Sequence, residues 1–263
     1  MSRKTIIIAV AVVALVATAV YFSPAMREVR FVDSLVARNL DARGGTDAWE
    51  RVTTMRMAGQ VDLGQGMSVP YVLEQKRPGM MCFEFEFNEQ TSTQCTDGTQ
   101  GWKISPFLGR TEPVTMTDLE YREMADTADP YGLLYDYANR DLDIEYLGTE
   151  QVDDREAYKL QVNMPNGGVR WIYLDAETAL DLKLDTLRTI VRRERLVETR
   201  YTEWRDVEGL LIPIRQETRT EGDPESHFIT VQTVIVNPQI DDDRFHIPAV
   251  VDAGKSGNGG DQS

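Results

Sequence analysis

At 263 residues with 41% hydrophobic content, the chain is long enough to bury a substantial core, as one large all-β domain or two small ones. Its net charge of −15 comes from 43 acidic against 28 basic residues, with the acids spread along its length. That excludes nucleic acid as a partner, because phosphate binding needs clustered Lys and Arg.

Arg3 and Lys4 precede an apolar run from Ile6 to Phe22. A basic start followed by an apolar stretch is an export signal. Ala17-Thr18-Ala19 and Ser23-Pro24-Ala25 each offer small residues at the two positions a signal peptidase reads. Against cleavage, 17 apolar residues are just enough to cross a bilayer as an uncleaved helix. Residues 1–25 are therefore expected to be a signal peptide or a membrane anchor. Either way the rest of the chain is expected in the periplasm, and no nearby cysteine marks a lipoprotein signal.

Val29, Val32, Leu35, Val36 and Leu40 recur at helical spacing, and Gly44-Gly45 stops the pattern. Thr46 caps a short second helix through Trp49. Three alternating runs follow, and a period of two is the strand period. In the first, Met55, Met57, Gly59, Val61 and Leu63 fall on one side, with Arg56, Gln60 and Asp62 on the other. In the second, Tyr71 and Leu73 oppose Val72, Glu74 and Lys76. The third, Phe83-Glu84-Phe85-Glu86-Phe87, alternates most cleanly. Gly64, Gly66, Pro78 and Gly79 supply the links, so the runs form an antiparallel meander with one greasy face.

A tight hairpin centred on Asn88-Glu89 pairs position 87 with 90, and therefore Cys82 with Cys95. Counted outward, 82/95 is a non-hydrogen-bonded pair, where side chains come closest. A cross-strand disulfide in an oxidising compartment is expected, against the alternative of two unrelated buried thiols. Asp97-Gly98 is a turn, and Gly101-Trp102 leads into a loop holding Pro106 and Pro113.

From Thr117, the expected N-cap, the pattern turns helical, with Tyr121, Met124, Ala125 and Ala128 on one face. Asp129-Pro130 reads as the cap and first position of a second short helix. That helix carries Tyr131, Leu133, Leu134, Tyr135 and Tyr137 on nearly every side, so it requires burial. Strands resume at 144–147 and 158–164, with Asn166-Gly167 turning into 169–174. Further strands are predicted near 180–186, 193–204, 210–218 and 228–236, with Pro213 marking an edge or bulge. Phe245-His246-Ile247-Pro248 packs as a terminal extension, and residues 251–263 read as a disordered tail. The count is ten or eleven strands in one domain.

The succession of Gly44-Gly45, Trp49, Gly59, Arg77-Pro78, Asp97-Gly98, Gly101-Trp102, Gly148, Tyr158-Lys159, Asp175, and Gly209 with Pro213 resembles the LolA/LolB-like superfamily, in its outer-membrane lipoprotein-sorting branch. The order and spacing carry the resemblance, which covers 29–248. It implies a mainly β (α+β) fold over 26–250. That fold is an incompletely closed antiparallel β-barrel of about eleven strands, with helices plugging the concave face. It also implies a hydrophobic cavity for the acyl chains of lipoproteins or other lipids. Two features depart from the family's best-known members. The carrier keeps no membrane helix, and the outer-membrane acceptor is anchored by a lipidated Cys that has no counterpart here.

The candidate cavity residues are Met55, Met57, Val61, Tyr71, Leu73, Phe83, Phe85, Phe87, Trp102, Leu133, Leu134, Tyr137, Trp171 and Tyr173. The same residues would equally suit a closed core. The alternative function is an envelope protein-interaction or stress-sensing domain resembling RseB, with inner-membrane proteins as partners. No catalytic residues, metal ligands or cofactor are expected: His227 sits beside a polar loop, Glu84 and Glu86 on a wet strand face, and no Gly-x-Ser-x-Gly elbow or phosphate loop occurs.

Overall fold

The computed structural model describes residues 24–190 and 192–249. The expected signal or anchor at 1–25 lies almost entirely outside them, as does the expected tail. Among the described residues, no helix is long and apolar enough to cross a membrane.

The helices are α1 (Pro24–Ala42), α2 (Thr46–Glu50) and α3 (Asp118–Ala125). The strands before α3 are β1 (Thr54–Asp62), β2 (Ser68–Lys76), β3 (Met80–Phe87), β4 (Gln90–Asp97), β5 (Gly101–Ser105) and β6 (Arg110–Thr115). Those after it are β7 (Asp143–Val152), β8 (Arg155–Asn163), β9 (Val169–Asp175), β10 (Asp181–Ile190), β11 (Arg193–Val207), β12 (Leu210–Thr220) and β13 (Ser226–Val236). The hydrogen-bonded order is β6-β5-β4-β3-β2-β1-β13-β12-β11-β10-β9-β8-β7, an open antiparallel sheet with few helices.

The described residues thus hold thirteen strands, two more than the resemblance implies. The addition comes from the stretch expected to be a loop. Pro106 opens a single 3-10 turn, Pro106–Leu108, closed by Gly109 in the left-handed region. β6 then returns on β5 through Trp102↔Thr115 and Lys103↔Val114. Pro113 is tolerated because β6 is the end strand of the order, where a missing N–H breaks no ladder.

The second expected helix does not form. Residues 131–139 run as turns, with Gly132 and Asp136 at positive φ and a 3-10 turn at Tyr137–Arg140. A left-handed residue every few positions cannot propagate a helical ladder. Burial is nonetheless as deep as the apolar content requires: Tyr131, Leu134 and Tyr135 are all buried.

The chain divides into two compact units. One takes Leu133–Thr230 with the chain up to Arg51; the other takes Val52–Gly132 with the chain from Val231. β13 is shared, its first five residues pairing with β12. In the first unit, Val32, Leu35 and Val36 of α1 pack on Leu160, Val162, Ile172 and Leu174 of β8 and β9, with Leu134 and Leu142 completing the core. These α1 positions share one helical face, as the spacing predicts. Gly44 approaches the β11–β12 turn so closely that a Cβ would lie 2.2 Å from the Gly209 carbonyl oxygen. Its φ of +115° independently favours glycine.

The second unit is the meander β1–β6 with α3. Its β3–β4 hairpin has the expected register, Phe87↔Gln90 through Cys82↔Cys95. Cys82 and Cys95 form a disulfide with Cα atoms 4.1 Å apart. Closing a loop with a sequence separation of 13 should stabilise the fold by about 3 kcal/mol. Urea unfolding with and without reductant measures this, and an unchanged midpoint would show the crosslink to be inert.

Candidate functional site

Register pairs share a face of an antiparallel sheet, and neighbours along a strand do not. In the Val52–Gly132 unit, Met57↔Leu73↔Phe83 and Gly59↔Tyr71↔Phe85 therefore line one face, with Met55, Val61 and Phe87 on the same face by alternation. Eight of the predicted residues are thus brought together: Met55, Met57, Val61, Tyr71, Leu73, Phe83, Phe85 and Phe87.

The face is closed at one end and open at the other. At the closed end, Met81, Met116, Met124 and Ala128 are buried together, with Leu73, Phe83 and Tyr121 packed against them. α3 is held there by several polar ties. Thr117 and Glu120 form a reciprocal capping box. Lys103 of β5 pairs with Glu120, and the Tyr121 hydroxyl donates to the Gly98 carbonyl at 2.9 Å. Gln75 Nε2 donates to the Thr127 carbonyl at 3.0 Å and the Ala128 carbonyl at 3.3 Å. The bond from Lys103, aided by the Thr117 amide, holds the Glu120 carboxyl below its ordinary range.

Toward the other end runs an aromatic ladder. Tyr71 stacks on Phe83 at 5.5 Å between centroids, and Phe83 meets Phe85 at 6.3 Å. Phe107, from the 3-10 turn, stacks on Phe85 at 5.8 Å and leans on Phe87 at 5.7 Å. Phe83, Phe85 and Phe87 are only half-buried, although ring contacts surround them. Burial alone pushes the Tyr71 phenol up to about 12, so it stays neutral at any physiological pH. Phe107 was not predicted, because a Phe between two prolines gives no periodic signal that it will stack on a strand.

The remaining predicted residues lie elsewhere. Trp102 pairs with Cys95, placing it on the reverse face of the meander. There Cys82, Cys95 and Trp102 are buried under Phe245, whose carbonyl accepts from Trp102 Nε1 at 2.8 Å. That face is wet toward the hairpin, where Glu86 and its partner Thr91 are exposed, and covered toward the disulfide. Arg244 bonds Glu74 and Glu84, each at 2.7 Å.

In the other unit, Leu133, Leu134 and Tyr137 belong to the core under α1. The Tyr137 hydroxyl donates to Asp33; burial, helped by that carboxylate, pushes the phenol up to about 12. Trp171 and Tyr173 point away from that core, since Ile172 and Leu174, which alternate with them, face it. Tyr173 packs with Val152, Ala157 and Leu182, donates to Asp185 Oδ2 at 3.0 Å and lies 4.0 Å from Lys183 Nζ. Trp171 Nε1 donates to Gln161 Oε1 at 3.1 Å. Both side chains are thus on the face opposite the α1-covered core. Among the described residues, no group of three His, Cys, Asp or Glu is placed to hold a metal ion.

No family model matches the sequence, and neither does any curated protein. Solved structures do. A DUF1329 family protein from Desulfovibrio piger is similar with a TM-score of 0.58 at 10% identity, over 82% of this chain and 97% of that one. A LolA superfamily protein from Nitrosomonas europaea is similar with a TM-score of 0.57 at 13% identity, over 82% and 97%. The chain therefore has the LolA-like fold.

Proposed function

We propose that this protein binds a lipid acyl chain in the periplasm, on the aromatic face of the β1–β6 meander. One observation carries the reading. Three alternating Phe residues of a central strand stay half-exposed, while the methionines at the end of the same face are fully packed. A structural core would bury them. An apolar chain laid along the ladder would gain about 0.8 kcal/mol per buried methylene. No cationic partner is required: Lys103, the basic residue in the β5 row, is already paired with Glu120. Methionines at the closed end adapt to chains of different length.

Phe85→Glu is the test, by displacement of a fluorescent fatty acid from the folded protein. A carboxylate in the middle of the ladder is expected to weaken binding at least tenfold, because burying a charge against an apolar chain costs far more than burying a Phe ring. Because Tyr71 stays neutral, protein-side affinity should be level between about pH 6 and pH 9. Binding that survives Phe85→Glu would place the ligand elsewhere. A folded wild type that binds no acyl chain would favour the protein-interaction alternative.

A further inference from the structure

The meander has a chemically distinct tip. β1 and β3 end at the same edge of the sheet, where β2 and β4 begin, and β5 also ends there. Three connections are therefore gathered at that edge: 63–67, 88–89 and 106–109. Two of them carry exposed apolar side chains, Leu63 (38%) and Met67 (40%) on one, Phe107 (41%) and Leu108 (75%) on the other. Three strand spacings between β2 and β5 put these two groups roughly 14 Å apart. Phe107 is also the last rung of the ladder, so the half-buried face runs directly into this edge.

We infer that this edge docks on a lipid bilayer, with Leu63, Met67, Phe107 and Leu108 entering the acyl boundary. Two features favour a bilayer over a protein. The apolar side chains stand on separate turns, whereas a protein interface buries one contiguous, well-packed centre. Charge at the tips is sparse and mixed, namely Asp62, Glu89 and Arg110. That arrangement neither attracts an anionic surface nor obstructs insertion. The docked surface is accordingly a zwitterionic one, and the docking goes beyond ligand binding because it is measurable on the unliganded protein.

The experiment uses the full chain with Leu108→Cys, whose single free thiol carries a nitrobenzoxadiazole label; both natural cysteines are consumed in the disulfide. Phosphatidylcholine–phosphatidylethanolamine vesicles should raise its emission severalfold. A label at Glu221→Cys, in the other unit, should not respond. Anionic lipid should change the response less than about twofold. The readout is local, so attachment of the chain elsewhere does not mimic it. A position-108 label that stays solvent-like with vesicles present overturns the inference, whether or not the protein is vesicle-bound. As a second arm, Met67→Asp with Leu108→Asp should slow acyl-chain pick-up from vesicles at least tenfold. Equilibrium binding of free fatty acid should be retained. Loss of both would count against the docking role, and absence of acyl binding in the wild type would count against the site alone.

Discussion

Leu134→Asp is expected to destabilise the protein by about 4 kcal/mol, a large part of the roughly 5–15 kcal/mol available to a folded domain. Leu134 is 2% exposed. Its surroundings are Val32, Leu35 and Val36 of α1 with Leu160, Val162, Ile172 and Leu174 of the sheet. All are apolar, so the new carboxylate would stand in a low-dielectric core. It must ionise in an apolar core, take up a proton, or push the 131–139 segment out of place, and each course costs stability. Because that segment is built of turns rather than helix, expulsion is the easiest response, and α1 would lose part of its packing with it. Urea unfolding followed by far-UV circular dichroism reads the effect. Leu108→Asp is the matched control, expected to move the midpoint by no more than about 0.5 kcal/mol because the site is exposed. Equal shifts for the two variants would remove the core assignment.

The second large effect is Phe245→Ala, expected to cost about 3–4 kcal/mol. Phe245 is fully buried against Cys82, Cys95 and Trp102. It anchors a C-terminal segment tied down by Arg244 to Glu74 and Glu84 and by Lys76 to Asp242. The Trp102 bond is to the backbone carbonyl, which alanine keeps, so the variant isolates the ring. Loss of the ring leaves a cavity against a disulfide that cannot move to fill it. Tryptophan emission should shift to the red if the segment lifts, because Trp102 would then meet water. Acyl binding, on the opposite face, should be retained at temperatures where the variant is folded. An unchanged unfolding midpoint would mean that the segment contributes nothing to the meander.

Much of the architecture follows from local rules. A period of two in 83–87 decides which side chains share a face within that strand, since the pleat allows no other arrangement. Asn88-Glu89 as a two-residue turn, with both residues at positive φ, decides the β3–β4 register and hence the Cys82–Cys95 pair. The 3.6-residue spacing of Val32, Leu35 and Val36 decides the buried face of α1. In each case the information lies within about a dozen residues.

Other features were decided only by tertiary structure. Alternation fixes parity inside a strand but not between strands separated by a loop. Trp102 therefore pairs with the disulfide side rather than the Phe side, and Trp171 and Tyr173 take the face opposite the α1 core. Within residues 131–139, Tyr131, Leu134 and Tyr135 are buried while Asp136, Ala138 and Asn139 are exposed, a pattern with no clean helical face. Such a composition fits a helix and a string of turns equally, and the left-handed Asp136 settles it. β5 and β6 are too short and too proline-marked to announce themselves, yet β4 supplies a waiting ladder. The amino-acid order thus determined most of the strands, the disulfide and the greasy rows of this protein. Which row is covered, and by what, was decided by long-range packing, because burial depends on partners that no local period encodes.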